Sequence, residues 1–255
     1  MEIRFGLFAD LHYALPESEN RGYSQRTFDD MKKGLARFAE KEVSFAVCLG
    51  DIAQPAADRD EQYRQIQTVV RTWSHYGFPV HPVMGNHEFQ QLTLEDMLEI
   101  LQTDRTYYSF SLGDIRFVIL DSAYNPDDSH FSANNFDWRY GKLSDAEVHW
   151  LKALLADGKR TFLFTHGNFY LDPDEYCSEW YHVLNHREIC DILEESGCVE
   201  AVFQGHHHTF RHALHRGIRF VNIPSPERSP AYCEADFPVV EILDEGFLYN
   251  GERLI

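Results

Sequence analysis

Five times along this chain an apolar run ends directly in residues able to ligate a metal ion. Asp10-Leu11-His12 follows 3–9, Gly50-Asp51 follows 43–49, and Gly85-Asn86-His87-Glu88 follows 80–84. His166 follows 161–165, and Gly205-His206-His207-His208 follows 199–204. Short apolar runs of this kind read as buried strands. Polar groups buried separately at five strand ends would be costly. The chain therefore needs a fold that gathers those ends, and strands ending side by side in an open α/β sheet bring their C-terminal residues to one ligand-binding rim.

The intervening segments fit that frame. Residues 24–42 carry Phe28, Met31, Leu35 and Phe38 at helical spacing behind a capping serine, and 58–76 carry Tyr63, Ile66, Val69, Val70 and Trp73 on one face. The first third thus reads as βαβαβ with parallel pairing. Gly113-Asp114 between 107–112 and 115–120 signals a two-residue hairpin. Helices are expected at 144–156 and 185–195, and short strands at 209–214, 218–223, 239–243 and 247–250. With 255 residues and neither a repeat nor a linker, the expectation is one α/β domain over 1–255. Two long irregular stretches remain, 123–141 and 224–237. The first, with Asn125, Asp127, Asp128, His130, Phe136, Trp138 and Tyr140, reads as a pocket wall or lid.

A net charge of −18 opposes long-range capture of nucleic acid polymers or an anionic membrane and favours small phosphorylated substrates. Five scattered cysteines (48, 177, 190, 198 and 233), with no C-x-x-C spacing, suggest reduced thiols rather than a disulfide framework or zinc knuckle. No leader-like segment or spanning apolar run is seen, and a cytoplasmic location is expected.

In an extended segment residues i and i+2 point the same way, which would pair Asp10 with His12 and His206 with His208 while Leu11 and His207 point elsewhere. Gly50, Gly85 and Gly205 stand where sharp turns and close backbone approach are needed.

These motifs, from position 10 to 208, resemble the signature D-x-H, G-D, G-N-H-[DE], H, G-H-x-H of the calcineurin-like metallophosphoesterases. The resemblance implies two mixed β-sheets packed as a sandwich flanked by α-helices. It also implies two divalent ions, one held by Asp10, His12 and His208, the other by Asn86, His166 and His206, with Asp51 bridging both. Hydrolysis of a phosphate ester or anhydride would then proceed by attack of a metal-bridging hydroxide. The resemblance assigns His87 to transition-state stabilisation or protonation of the leaving oxygen. Glu88 is read either as orienting His87 or as a solvated loop acid.

Asp51 is followed by Ile52-Ala53-Gln54, without the tyrosine of the purple acid phosphatases, so no tyrosinate–iron site is expected; oxygen and imidazole ligands do not separate manganese, ferrous iron, magnesium and zinc, and the resemblance that follows favours manganese. The run from Phe5 to Asp10, Glu88, Leu143-Ser144 leading to Trp150-Leu151, and Tyr176-Cys177 through Trp180 are similar to the manganese-dependent ADP-ribose/CDP-alcohol diphosphatases, although that group usually has glutamine at the position of His12. The expected substrate is accordingly a nucleoside-diphosphate type. Alternatives are a cyclic nucleotide or other phosphodiester, a phosphomonoester, and, from a different class, a non-catalytic binding scaffold. Tyr13, Tyr124, Phe169, Tyr170, Trp180 and Tyr181 are the aromatics expected either to stack a base or to pack in the core.

Overall fold

The computed structural model describes residues 2–19, 24–172 and 179–254. Tyr176 and Cys177 lie outside the described residues. Among the described residues eleven strands form two mixed sheets. The first has the order β11-β10-β1-β2-β3, built from β1 (Ile3–Phe8), β2 (Phe45–Cys48), β3 (Val80–Pro82), β10 (Val239–Ile242) and β11 (Phe247–Tyr249). The second, β4-β5-β6-β7-β9-β8, contains β4 (Tyr108–Leu112), β5 (Ile115–Ile119), β6 (Thr161–Thr165), β7 (Val199–Gln204), β8 (Arg211–His215) and β9 (Ile218–Asn222). The expected parallel pairing of β1 with β2 and β2 with β3 is present, as is the antiparallel hairpin of β4 and β5.

The central strands β1, β2, β5, β6 and β7 read as largely apolar runs because both of their faces are buried. Phe5, Leu7, Phe45, Val47, Phe117, Phe162, Phe164 and Phe203 fill the space between the sheets. Phe5 stacks on Phe45 at 5.1 Å and meets Phe164 edge-on at 5.5 Å. Phe8, Ala46 and Cys48 face outward onto α1 (Ser24–Glu40), α2 (Arg59–Trp73) and α3 (Leu94–Leu101). Val118, Leu163 and Val202 face α4 (Asp145–Leu155) and α5 (His186–Ser196). The result is a helix–sheet–sheet–helix sandwich, as expected.

Three sequence expectations are corrected. Helix α3 was not anticipated; Thr93 caps it and exchanges hydrogen bonds with Asp96. The strand expected at 209–214 begins two residues later. The five ligand-bearing strand ends belong to both sheets, β1, β2 and β3 in one and β6 and β7 in the other, so their meeting point is the common C-terminal edge of the sandwich rather than the rim of one sheet.

Candidate metal centre

Beyond the ends of β1 and β2 the chain continues as two paired loops. Asp10 donates its N–H to the Gly50 carbonyl at 3.0 Å, and His12 donates to the Asp51 carbonyl at 3.1 Å. Within these loops Asp10, His12 and Asp51 have φ of 53°, 47° and 52°; on the β7 side His206 and His208 have 67° and 62°. Asp and His tolerate this left-handed region better than most residues, at some cost in strain. Asp10 and His12 therefore do converge, but not through extended geometry, whereas His206 and His208 enter different donor groups. Each pair is two left-handed residues, with Leu11 turned into the outer core and a tight turn closing on His206, where His207 N–H meets the Gly205 carbonyl at 2.8 Å.

The side chains gather into two donor groups. Asp10, His12, Asp51 and His208 place one potential ligand atom each within 4.8 Å of one another, and Asp51, His166 and His206 do the same. Asp51 is common to both. Its Oδ2 lies 3.4 Å from His166 Nε2 and 3.9 Å from His12 Nε2, while its Oδ1 accepts the His87 N–H at 2.8 Å. Asn86 joins the second group through Oδ1, 3.1 Å from His166 Nε2. The structure thus brings all seven expected ligand residues together.

The donors fit divalent cations. His166 Nδ1 is 2.7 Å from the Leu49 carbonyl, which fixes its proton there and turns Nε2 inward. Burial pushes His12 and His206 down to about 3, leaving both imidazoles neutral with a lone pair to donate. Burial works against ionisation of Asp10 and Asp51, but the imidazoles of His208, beside Asp10, and of His166 and His87, beside Asp51, prevail and hold both carboxyls below their ordinary range. His166 is held at about 10 because Asp51 and Asp10 outweigh its burial. A divalent cation would supply the same compensation and displace that proton.

Glu88 is neither a solvated loop acid nor a partner of the His87 ring. It is fully buried, and its carboxylate accepts the backbone N–H groups of Gly85 at 2.8 Å, Asp51 at 3.2 Å and Ile52. Burial, with Asp51 nearby, raises it to about 7. The packing explains Gly85: a Cβ there would stand 2.2 Å from the Asp51 nitrogen. His87 itself is 26% exposed, with Nε2 4.0 Å from Asp51 Oδ2 and its ring 4.6 Å from that of His12.

Several supporting residues escaped the sequence reading. Ser225, from stretch 224–237, donates its hydroxyl to the Asp10 carbonyl at 2.7 Å and its N–H to the His208 carbonyl at 3.2 Å. Asn168 Nδ2 ties the Gly205 carbonyl at 2.8 Å to Asn222 Oδ1 at 2.9 Å. Asp121 pairs with His130 at 2.9 Å. Asp121 also directly follows an apolar run, the same signal that marked the candidate ligands, and Asn222 is the last residue of β9. Stretch 123–141 does form a wall of the cleft beside Asn86, His166 and His206, through Ala123, Phe131 and Trp138. Of the six candidate aromatics only Tyr181 lines that cleft; Tyr13 and Phe169 are core residues, and Tyr170 stacks on His215 at 3.9 Å.

The profile of the calcineurin-like phosphoesterases matches residues 3–210. The chain belongs to this family. This phosphoesterase is 23% identical over 292 residues to a manganese-dependent ADP-ribose/CDP-alcohol diphosphatase of Oryza sativa subsp. japonica, spanning 97% of this chain and 90% of the relative. It is 28% identical over 199 residues to the serine/threonine-protein phosphatase CPPED1 of Mus musculus, spanning 73% and 60% of the two chains. A dimetal phosphatase from Danio rerio superposes with a TM-score of 0.77 at 20% identity, covering 97% of this chain and 98% of the other, and so shares the fold. The phosphoesterase is a metal-dependent phosphohydrolase. No helix among the described residues is long and apolar enough to cross a membrane.

Proposed function

We propose that this enzyme hydrolyses the diphosphate linkage of a nucleoside-diphosphate-type substrate such as ADP-ribose or a CDP-alcohol, using two divalent ions. The observation that carries the two-ion reading is the sharing of Asp51 by both donor groups. Asp10, His12 and His208 would hold one ion and Asn86, His166 and His206 the other, with Asp51 between them. Oxygen and imidazole donors without a thiol suit manganese, the metal in the name of the rice relative. When bound, the ions supply Lewis acidity and an activated water.

The chain's own residues supply the rest. His87 is exposed enough to reach substrate and is assigned the leaving oxygen, to which its imidazole would deliver a proton. Glu88 keeps the turns bearing Asp51 and Asn86 in register, as a positioning residue. The diphosphate reading rests on the relatedness along nearly the whole length of the rice diphosphatase.

Hydrolysis of ADP-ribose, CDP-choline, cyclic AMP, bis-p-nitrophenyl phosphate, p-nitrophenyl phosphate and a phosphoserine peptide by metal-stripped protein, with and without manganese, tests this. Manganese-dependent cleavage of the first two in preference to the others is expected. Preference for the phosphopeptide would instead place the enzyme with its protein-phosphatase relative, and preference for cyclic AMP would make it a phosphodiesterase.

A further inference from the structure

Six large apolar side chains stand exposed among the described residues, and four of them, Trp138, Tyr140, Trp180 and Leu184, fall within two short segments. Those segments meet beside the metal centre. The Trp138 ring lies 5.9 Å from that of Tyr181, and both rings approach the His206 imidazole, at 5.4 and 5.5 Å. Trp138 remains 38% exposed, although a tryptophan at a cleft would ordinarily bury its ring in the wall. Arg139, ion-paired with Asp137, lies over both Tyr140 and Trp180, at 5.6 and 5.7 Å. Exposed apolar residues normally scatter singly; a contiguous group bordering a site marks a binding surface.

We propose that Trp138 and Tyr181 form the seat of the substrate's nucleobase, on the side of the centre formed by Asn86, His166 and His206. The inference rests on the nucleoside-diphosphate reading and adds the residues that recognise the base. Two rings at an angle beside a ligand histidine can offer one face and one edge to a planar heterocycle. Every base has a π-face, so such a seat distinguishes nucleotides from other diphosphates without selecting strongly among bases. Neither His12 nor His87 lines the cleft that Trp138 and Tyr181 share with Asn86, His166 and His206.

Two measurements on the manganese-loaded full chain test the seat, using Trp138→Ala and Trp138→Phe. Relative to wild type, Trp138→Ala is expected to raise KM for ADP-ribose by about 5- to 150-fold, the range for loss of one base–aromatic stack. Its effect on dimethyl diphosphate, which carries no base, should be several-fold smaller, manganese should still bind, and Trp138→Phe should restore most of the loss. Equal losses on both diphosphates with weaker manganese binding would make Trp138 a prop for His206 and overturn the seat. The second measurement is independent of turnover: wild type should bind AMP more tightly than ribose 5-phosphate, and Trp138→Ala should abolish that preference. If ADP-ribose is not cleaved, the diphosphatase reading fails while this comparison still decides the seat. Equal binding of AMP and ribose 5-phosphate by wild type overturns it.

Discussion

Glu88 accepts the backbone N–H of Asp51 at 3.2 Å across 37 residues of sequence. The same carboxylate holds the N–H groups of Gly85 and Ile52, so one buried side chain fixes the turns that follow β2 and β3. Replacement by alanine strands three buried donors, at about 1–3 kcal/mol each. Glu88→Ala should lose at least about 3 kcal/mol in urea unfolding and bind manganese more weakly. Wild-type stability with both metals retained would contradict this role.

Asp51 is the residue shared by both donor groups. Asp51→Asn keeps the shape but removes the charge, and is expected to lower metal content and nearly abolish turnover. Metal analysis by mass spectrometry alongside a hydrolysis assay checks both, and full activity with two metals bound would exclude a shared-ligand role. Stripping metal from wild type with a chelator should likewise abolish activity and lower the unfolding temperature, because ions that bind only the folded state stabilise it by mass action.

His87 lies beside the centre, with its backbone rather than its ring anchored to Asp51. His87→Ala should therefore keep both metals and lose about 10² to 10⁴ in turnover, the span for one acid–base group. Loss of metal in this variant would reassign it as a ligand.

Asp121 and His130 form a buried ion pair at 2.9 Å that ties stretch 123–141 to the end of β5. Burial opposes both charges, but each partner outweighs it, raising His130 and lowering Asp121. The raised histidine contributes stability that is complete below its unfolded value of about 6.5 and is lost as pH rises through the higher folded value. The lowered Asp121 contributes above about 3.9 and is lost as pH falls through its folded value. Unfolding free energy should therefore decline on the alkaline side in wild type, and His130→Gln should remove that part of the decline. Because this variant leaves Asp121 charged and buried, a cost of about 3–5 kcal/mol near neutral pH is expected. Denaturant titrations from pH 5 to 9 measure both, and identical alkaline slopes would show that His130 is not the titrating group.

The strands and the candidate ligands were legible because both follow from burial. A strand covered on two faces needs an unbroken apolar run, and polar residues at its end then stand out. Periodicity was weaker where elements are short. Helix α3 has eight residues, barely two turns, and its Thr93–Asp96 capping pair was the better signal. The gathering of Asp10 with His12 and of His206 with His208 was expected for a reason the backbone does not follow, since an alternating pattern says nothing about sign of φ. Side-chain roles were least legible. A glutamate beside a histidine has the same letters whether it reaches the ring or the backbone, and Tyr13 and Phe169 differ from Tyr181 only in what the folded chain packs against them.

The left-handed backbone at Asp10, His12, Asp51, His206 and His208 sets stability against chemistry at five places at once. Glycine would relax each of these positions, by about 1 kcal/mol where the side chain makes no other contribution. Against that relief, the Asp10 and Asp51 carboxylates accept the backbone N–H groups of His206 and His87, so glycine would strand buried donors along with losing the candidate metal donor. Relieving the strained backbone is therefore no route to a hardier protein, and thermostabilisation of this scaffold has to hold these five letters constant and seek its gains in the helices.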